Sequence, residues 1–345
     1  MATVDNPLDF KKLKEFWKKS LNWDEDQTRI TQVSGGFSNL TFLVESPIGK
    51  FAMRRAPFGE KISKAHDMVR ESQVLEALYK AGYKKAPKPV VIYEDEELSG
   101  TPLLIMEWVE GYVLRNRVPK GIQLNSEDFR KLSENTLDSL LELHQLELEV
   151  SGLHRLGKAE GYVKRQVDGW IDRYLRAKTD SIPEMIQVAN WLQSNLPSTE
   201  NSGFIHNDYK YDNLVLNLQN VSEINAVLDW EMATVGDPLM DLGTSLAYWA
   251  ESNDPDILKM FGLTYLPGNL NRAEVIDYYA QRSPLDLSNM LFYYVFGLFK
   301  VAGIAQQIYK RYTQGFAKDK RFGELIHVVN AAGQKALESI KSEKI

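Results

Sequence analysis

The hydropathy pattern of this chain changes character once, at Glu110-Gly111, and any fold it adopts must accommodate that break. Before it, from about Thr28 to Met106, short runs of β-branched and aromatic residues alternate with turn residues, which predicts strands. Thr41–Glu45 and Phe51–Arg55 read as a hairpin joined through Pro47 to Gly49. A helix follows over Ser63–Ala81, stopped by Gly82, and Val90–Tyr93 with Leu103–Glu107 complete a small sheet. Beyond Gly111, apolar residues recur at helical spacing over Ser126–Glu147, Asp168–Lys178, Met185–Leu196, Asp286–Tyr312 and Phe322–Ile340. The exception is 203–230, where Phe204-Ile205, Leu214–Leu216 and Ala226–Leu228 predict short strands that present polar residues at their ends. The expectation is an α+β chain of two lobes, a small antiparallel-sheet lobe over 1–110 and a mainly helical lobe over 111–345.

Composition narrows the chemistry. The 345 residues suit two domains, and a 43% apolar, 26% charged make-up is that of an ordinary globular protein. A formal net charge of −6 argues against a nucleic-acid partner, which needs clustered Lys and Arg. With no cysteine, thiolate catalysis, disulfides and Cys-ligated zinc are excluded. The histidines other than His206, at positions 66, 144, 154 and 327, are scattered and suggest no His-ligated metal. The N-terminus is charged throughout, which predicts a cytoplasmic protein without a secretory signal. It reads as a helix capped by Asn6 and Pro7, with Phe10, Leu13, Trp17 and Leu21 as its buried stripe. The apolar stretch Met290–Phe299 is cut by Lys300, so a core helix is expected there and no membrane insertion. No repeat or low-complexity tract occurs, and the oligomeric state is left open.

One segment carries the chemistry. Phe204-Ile-His206-Asn-Asp208-Tyr-Lys210-Tyr-Asp-Asn213 has the order H-x-D-x-K-x-x-N. A loop leaving a strand with this spacing can aim Asp208 at an incoming hydroxyl, set Lys210 beside a transferring phosphoryl group and bring Asn213 round to a metal. Farther on, Ala226-Val-Leu-Asp229-Trp-Glu231 puts a carboxylate at the end of an apolar strand. Asn213 and Asp229 are oxygen donors of the kind a hard cation such as Mg²⁺ prefers. Ordinary turn and cap chemistry is the bland alternative for each residue taken singly.

These two motifs resemble the catalytic loop and metal-binding aspartate of protein kinases and, more closely, of the aminoglycoside phosphotransferase and choline kinase-like family. The resemblance implies a two-lobed protein-kinase-like fold, a nucleotide (ATP or GTP) with Mg²⁺ as cofactors, and a small-molecule hydroxylated acceptor. It continues through Gly236-Asp237-Pro-Leu-Met-Asp241, where Asp237 and Asp241 are expected to support the loop together with His206. Ser34-Gly35-Gly36-Phe37-Ser38-Asn39 lies where kinases cover the phosphates, which assigns Gly35, Gly36, Ser38 and Asn39 to the nucleotide, although it departs from the G-x-G-x-x-G order. Arg54 stands at the place of the phosphate-binding strand lysine and Glu71 at that of its carboxylate partner, with strand register leaving Arg54 or Arg55 open. Glu107 and Val109 fall in the segment whose backbone pairs with adenine in kinases. The stretch from Phe292 to Tyr312 resembles phosphotransferase domains fused to acyl-CoA dehydrogenases, which points to a hydroxy acid or hydroxyacyl acceptor. Lys300, set among apolar residues, is the candidate reader of its anionic group. The alternatives are an aminoglycoside-type antibiotic phosphotransferase, a non-catalytic pseudokinase, and a metal-dependent hydrolase built on the same carboxylates.

Overall fold

The computed structural model describes residues 10–21, 23–24, 27–33, 39–56, 67–94, 100–317 and 319–345. They form two compact units. One holds the stretch up to Glu110 together with Ala226–Met232, and the other holds Gly111–Asn225 and Ala233–Ile345. The chain is α+β, as its sequence pattern predicts.

The first unit is built on a five-stranded antiparallel sheet. Its strands are β1 (Arg29–Val33), β2 (Leu40–Ser46), β3 (Gly49–Arg55), β4 (Pro89–Tyr93) and β5 (Leu103–Glu107), in the spatial order β1-β2-β3-β5-β4. The β2–β3 hairpin closes with Ser46 opposite Gly49. On one face Phe42, Val44, Met53, Leu103 and Ile105 are buried with Leu13 and Trp17 of helix α1 (Phe10–Ser20) and with Trp23. Side chains alternate across a strand, so Ala52 and Arg54 point away from that core. Helix α2 (Met68–Lys80) packs against β4 and β5 and buries Glu71, Val74, Leu75 and Leu78, a stripe at helical spacing that contains a carboxylate. Its N-cap is Asp67, whose side chain accepts from Arg70 N, and Gly82 follows its end with φ 81°. Asn6, Pro7 and the expected start of α2 at Ser63 lie outside the described residues.

The second unit is mainly helical: α3 (Ser126–His144), α4 (Leu148–Ser151), α5 (Tyr162–Ala177), α6 (Pro183–Ser194), α7 (Pro238–Tyr248), α8 (Arg272–Ala280), α9 (Met290–Thr313) and α10 (Leu325–Ser342). Short strands β6 (Gly203–Ile205) and β9 (Thr234–Gly236) pair with each other, while β7 (Leu214–Leu216) leads into a turn and then β8 (Ile224–Val227). A helix start at Asp237-Pro238, with Asp237 as its cap and Asp241 one turn in, is readable in the sequence, whereas α8 is not and α5 begins at Tyr162 and not at Asp168. Every residue of α7 is buried, so it has no polar face and no amphipathic period to read. Helix α8 is held instead by a capping box, Asn271 with Glu274.

Helix α9 is long and apolar enough to pass for a membrane span, yet 78% of that apolar window is buried inside the protein, which makes it a core helix. It crosses α7 at two glycines. A Cβ on Gly243 would lie 2.3 Å from the Tyr293 carbonyl oxygen, and one on Gly297 would lie 2.2 Å from that of Gly243. Both obstacles are backbone, so neither can swing aside. Gly297→Ala is therefore expected to destabilise the protein by roughly 1–3 kcal/mol, the usual range for overpacking a filled core. Urea unfolding checks this, with Gly315→Ala, where a Cβ meets nothing within 4 Å but φ is 79°, as a comparison limited to backbone strain.

Candidate active site

The sheet unit gathers one set of charges around Arg54. Because Arg54 sits on the face of β3 opposite the aromatic core, its side chain meets α2, and Nη1 lies 2.8 Å from Glu71 Oε1. Nη2 lies 2.9 Å from Asp229 Oδ1 and 4.0 Å from Glu231 Oε2. Asn39 donates from Nδ2 to Glu231 at 2.6 Å. Register thus decides between the adjacent arginines: Arg54 takes the carboxylates, and the Arg55 Nε donates to the Ala56 carbonyl. Burial works against the Arg54 charge, but Glu71 and Asp229 more than offset it and keep its pKa above the usual value. Burial of Glu71 pushes its pKa up, against the pull of Arg54 and the Trp230 backbone amide.

The segment carrying Asp229 is fixed locally. Val227 N donates to the Lys85 carbonyl at 2.7 Å, and Trp230, almost wholly buried, donates from Nε1 to Val227 O and meets Tyr83 edge-on. Asp229 itself has φ 68°, in the left-handed region that a non-glycine residue occupies only under constraint. Glu107 ends β5, its N–H bonded to the Lys88 carbonyl and its side chain turned to solvent, with Val109 just beyond. Gly35, Gly36 and Ser38 lie outside the described residues.

The helical unit gathers the second set. Strand β6 delivers the chain to His206, and the Asp241 carboxylate, one turn into α7, accepts from the backbone N–H of His206 at 2.7 Å and of Asn207 at 2.8 Å. His144 Nε2 lies 3.2 Å from the same carboxylate and its Nδ1 2.8 Å from the Tyr279 hydroxyl. Burial works to raise the Asp241 pKa, but His144, His206 and the backbone amide outweigh it and hold the group below the usual carboxylate range. Asp237 caps α7 through Leu239 N and also accepts from Asn201 N and the Tyr293 hydroxyl. His206 Nδ1 accepts from Asp208 N at 3.2 Å, so the imidazole braces the loop.

On this support three side chains converge. Lys210 Nζ lies 2.8 Å from Asp208 Oδ2, and Asn213 Nδ2 donates to the Asp208 carbonyl at 2.8 Å and to Oδ2 at 3.1 Å, which leaves the Asn213 carboxamide oxygen as the acceptor it can offer elsewhere. The Tyr248 hydroxyl hydrogen-bonds Asp208, and its ring lies beneath the Lys210 ammonium at 4.6 Å. Burial opposes the Lys210 charge, but Asp208 outweighs it and holds the amine well above its usual pKa.

Lys300 corrects the sequence expectation. It is 2% exposed, and its Nζ donates to the Asn207 carbonyl at 2.6 Å, so the amine is committed to the loop and not presented to an acceptor. His144 and Tyr248 escaped sequence reading because their partners are remote in the chain. Glu231 stood beside Asp229 in the motif and drew no role.

A sequence profile of the phosphotransferase enzyme family (APH) matches residues 29–277, a span that includes Arg54, Glu71, the 206–213 loop, Asp229 and Asp241. The chain belongs to that family. Acyl-CoA dehydrogenase family member 11 of Rattus norvegicus is 35% identical over 290 residues, covering 83% of this chain but 37% of the relative, so the chain spans little more than a third of that protein. The solved structure of a candidate aminoglycoside phosphotransferase from Ralstonia eutropha superposes with a TM-score of 0.81 at 26% identity, over 97% of this chain and 98% of that one. Choline kinase of Cryptosporidium parvum, at 14% identity and a TM-score of 0.66 over 97% and 96% of the two chains, shares the kinase-like fold.

Replacing Asp241 by Asn would turn an amide donor toward backbone N–H groups that need an acceptor. The loss is expected to be on the order of 3 kcal/mol, larger than for a surface carboxylate. The depressed pKa sets the pH sense. The stabilisation is complete above the unfolded value of 3.8 and fades as pH falls through the lower folded value. Thermal melts from neutral pH to below about pH 4 should therefore show wild type losing more stability than Asp241→Asn as acid is added.

Proposed function

We propose that this phosphotransferase-family chain is a small-molecule kinase, moving the γ-phosphoryl group of ATP or GTP to a hydroxyl of a small acceptor. The observation that carries the reading is the convergence of Lys210 and Asn213 on the Asp208 carboxylate, on a loop braced by Asp241. A carboxylate held this way can accept the hydroxyl proton as the acceptor oxygen bonds the γ-phosphorus and the bond to the leaving nucleoside diphosphate breaks. Lys210 offsets charge on the transferring oxygens. In the sheet unit Arg54, locked in its fork by Glu71 and Asp229, is suited to nucleotide phosphate oxygens.

Each candidate donor, taken within its own unit, has chemistry that suits magnesium. Among the described residues no three His, Asp or Glu side chains gather as a metal-binding group. The Asp229 carboxylate in the sheet unit and the Asn213 carboxamide in the helical unit are each hard oxygen donors of the kind Mg²⁺ takes beside phosphate and water. When bound, Mg²⁺ neutralises phosphate charge; the protein's part is to orient the two reactants.

For the acceptor, a hydroxy acid or hydroxyacyl compound is favoured over a cationic aminoglycoside. Lys210 and Arg173 each act electrostatically on the buried Lys300, and Arg173 is exposed with its guanidinium 4.8 Å over the Trp170 ring. Arg173, the exposed cation among them, suits an anionic group on an acceptor. The acyl-CoA dehydrogenase names of the relatives point the same way.

A panel of hydroxy acids, hydroxyacyl thioesters, amino alcohols and aminoglycosides, each with Mg-ATP or Mg-GTP, should yield phosphorylated product only with acceptors of the first two kinds. Free phosphate alone would indicate a hydrolase, and no turnover a nucleotide-binding scaffold. Asp208→Asn should lower kcat on the best acceptor by about 10²–10⁴-fold while calorimetry shows nucleotide binding unchanged. Wild-type turnover in that variant would remove Asp208 from the chemistry.

A further inference from the structure

Lys300 is a buried charge that phosphoryl transfer, as described above, does not use. It projects from the middle of α9, and its Nζ lies 2.6 Å from the Asn207 carbonyl oxygen, 3.4 Å from Asn207 Oδ1 and 5.8 Å over the Trp170 ring. No carboxylate lies within ion-pair distance of it among the described residues. An ammonium removed from water with only a carbonyl and an aromatic face in exchange costs stability, so it calls for a role in the site.

Its partner supplies that role. Asn207 has φ 70°, and it is the residue immediately before Asp208. Three contacts hold that backbone in place. The N–H goes to Asp241, the side-chain amide lies 3.0 Å from the Tyr162 hydroxyl, and the carbonyl goes to Lys300. Rotation of Asn207 out of the left-handed region would swing the following carboxylate away from Lys210 and Asn213.

We propose that Lys300 is a positioning residue of the phosphotransfer site, clamping the Asn207 carbonyl so that the next residue, Asp208, is aimed at the acceptor hydroxyl. The proposal rests on the kinase reading given above. The charge of the clamp also changes within the working range. Burial lowers the Lys300 pKa to about 8, opposed by Asp241 and Asp208 and assisted by Lys210 and Arg173. The charged and titratable groups facing it are Asp208 and Lys210 on the loop, Asp241 on α7 with His144 and His206 bound to it, and Tyr162 and Arg173 on α5. Lys210 is held well above its usual pKa, Tyr162 is pushed far above by burial and Asp241 is held low, so none of these three changes charge near pH 8. Loss of the Lys300 proton weakens a charge-assisted hydrogen bond to a neutral one.

The test compares wild type, Lys300→Met, Lys300→Gln and the double variant Lys300→Met/Asn207→Gly, with kcat and both KM values measured from about pH 6 to about pH 9.5. Lys300→Met, close in volume and without a donor, should lower kcat by about 10–100-fold with the KM for Mg-ATP within about twofold. Gln, which keeps an N–H donor, should retain more activity than Met. Glycine at 207 adopts the left-handed conformation without a side-chain penalty, so the double variant should recover part of the lost kcat. That recovery would not follow if Lys300 merely filled space. Wild-type kcat should fall as pH rises through about 8, and this limb should be missing from Lys300→Met. If the Met variant does not fold, the Gln variant and the wild-type alkaline limb decide. Wild-type kcat in Lys300→Met, or an alkaline limb unchanged by it, overturns the positioning role alone. A wild-type protein that transfers no phosphoryl group overturns the kinase reading itself.

Discussion

The helical unit depends on one carboxylate. Asp241 lies in the first turn of α7 and takes the backbone amides of His206 and Asn207, with His144 beside it. Three pieces of chain distant in sequence, the end of α3, the loop after β6 and the start of α7, are thereby tied at one point in a medium where an unpaired charge is expensive. The position of Asp241 is set in turn by its helix. Asp237 caps α7 while also holding Asn201 and Tyr293, and the glycine crossing locks α7 onto α9. The loop itself buries Tyr209 and Tyr211, and the rest of its rigidity is supplied by elements that are buried and regular.

The sheet unit solves a similar problem differently. Arg54 is a strand residue whose guanidinium faces a buried carboxylate from a helix and two more from the 226–232 stretch. Attraction in a low-dielectric setting compensates for desolvation only when the fork is well satisfied, and a planar guanidinium is better shaped for that than an ammonium. The sequence placed an arginine where kinases carry lysine, and its fork reaches Glu71 through one nitrogen and Asp229 through the other.

Much of this was legible in the sequence, and the parts that were not have identifiable causes. Strands β2 to β5 showed in alternation and turn chemistry, and α9 in its apolar density, because each has a distinct period or composition. The loop residues Asp208, Lys210 and Asn213 could be named because they are close in sequence and their spacing carries meaning. The choice between Arg54 and Arg55 needed a register, which adjacent identical side chains cannot reveal. The start of α7 was readable from Asp237-Pro238 but its length was not, because it is buried all round, and His144 was missed because its partner lies on another element. Lys300 was noticed but misassigned. Its spacing among aromatic residues showed that it lay on an apolar face, yet only three-dimensional contacts show whether a lysine there meets a ligand or a carbonyl.

That misassignment points to how such a fold accommodates different acceptors. The groups that hold the 206–213 loop, namely Asp241, His144, Tyr162 and Lys300, are buried and directed at the loop's backbone, at the Asn207 side chain or at one another. Arg173, exposed on α5 over Trp170, is bound to none of the loop's backbone in the contacts described and is open to exchange without disturbing it. A loop fixed from beneath leaves the surrounding helices to vary, the kind of arrangement in which one fold can serve many functions. Lys300 belongs with the buried groups because its ammonium is spent on Asn207.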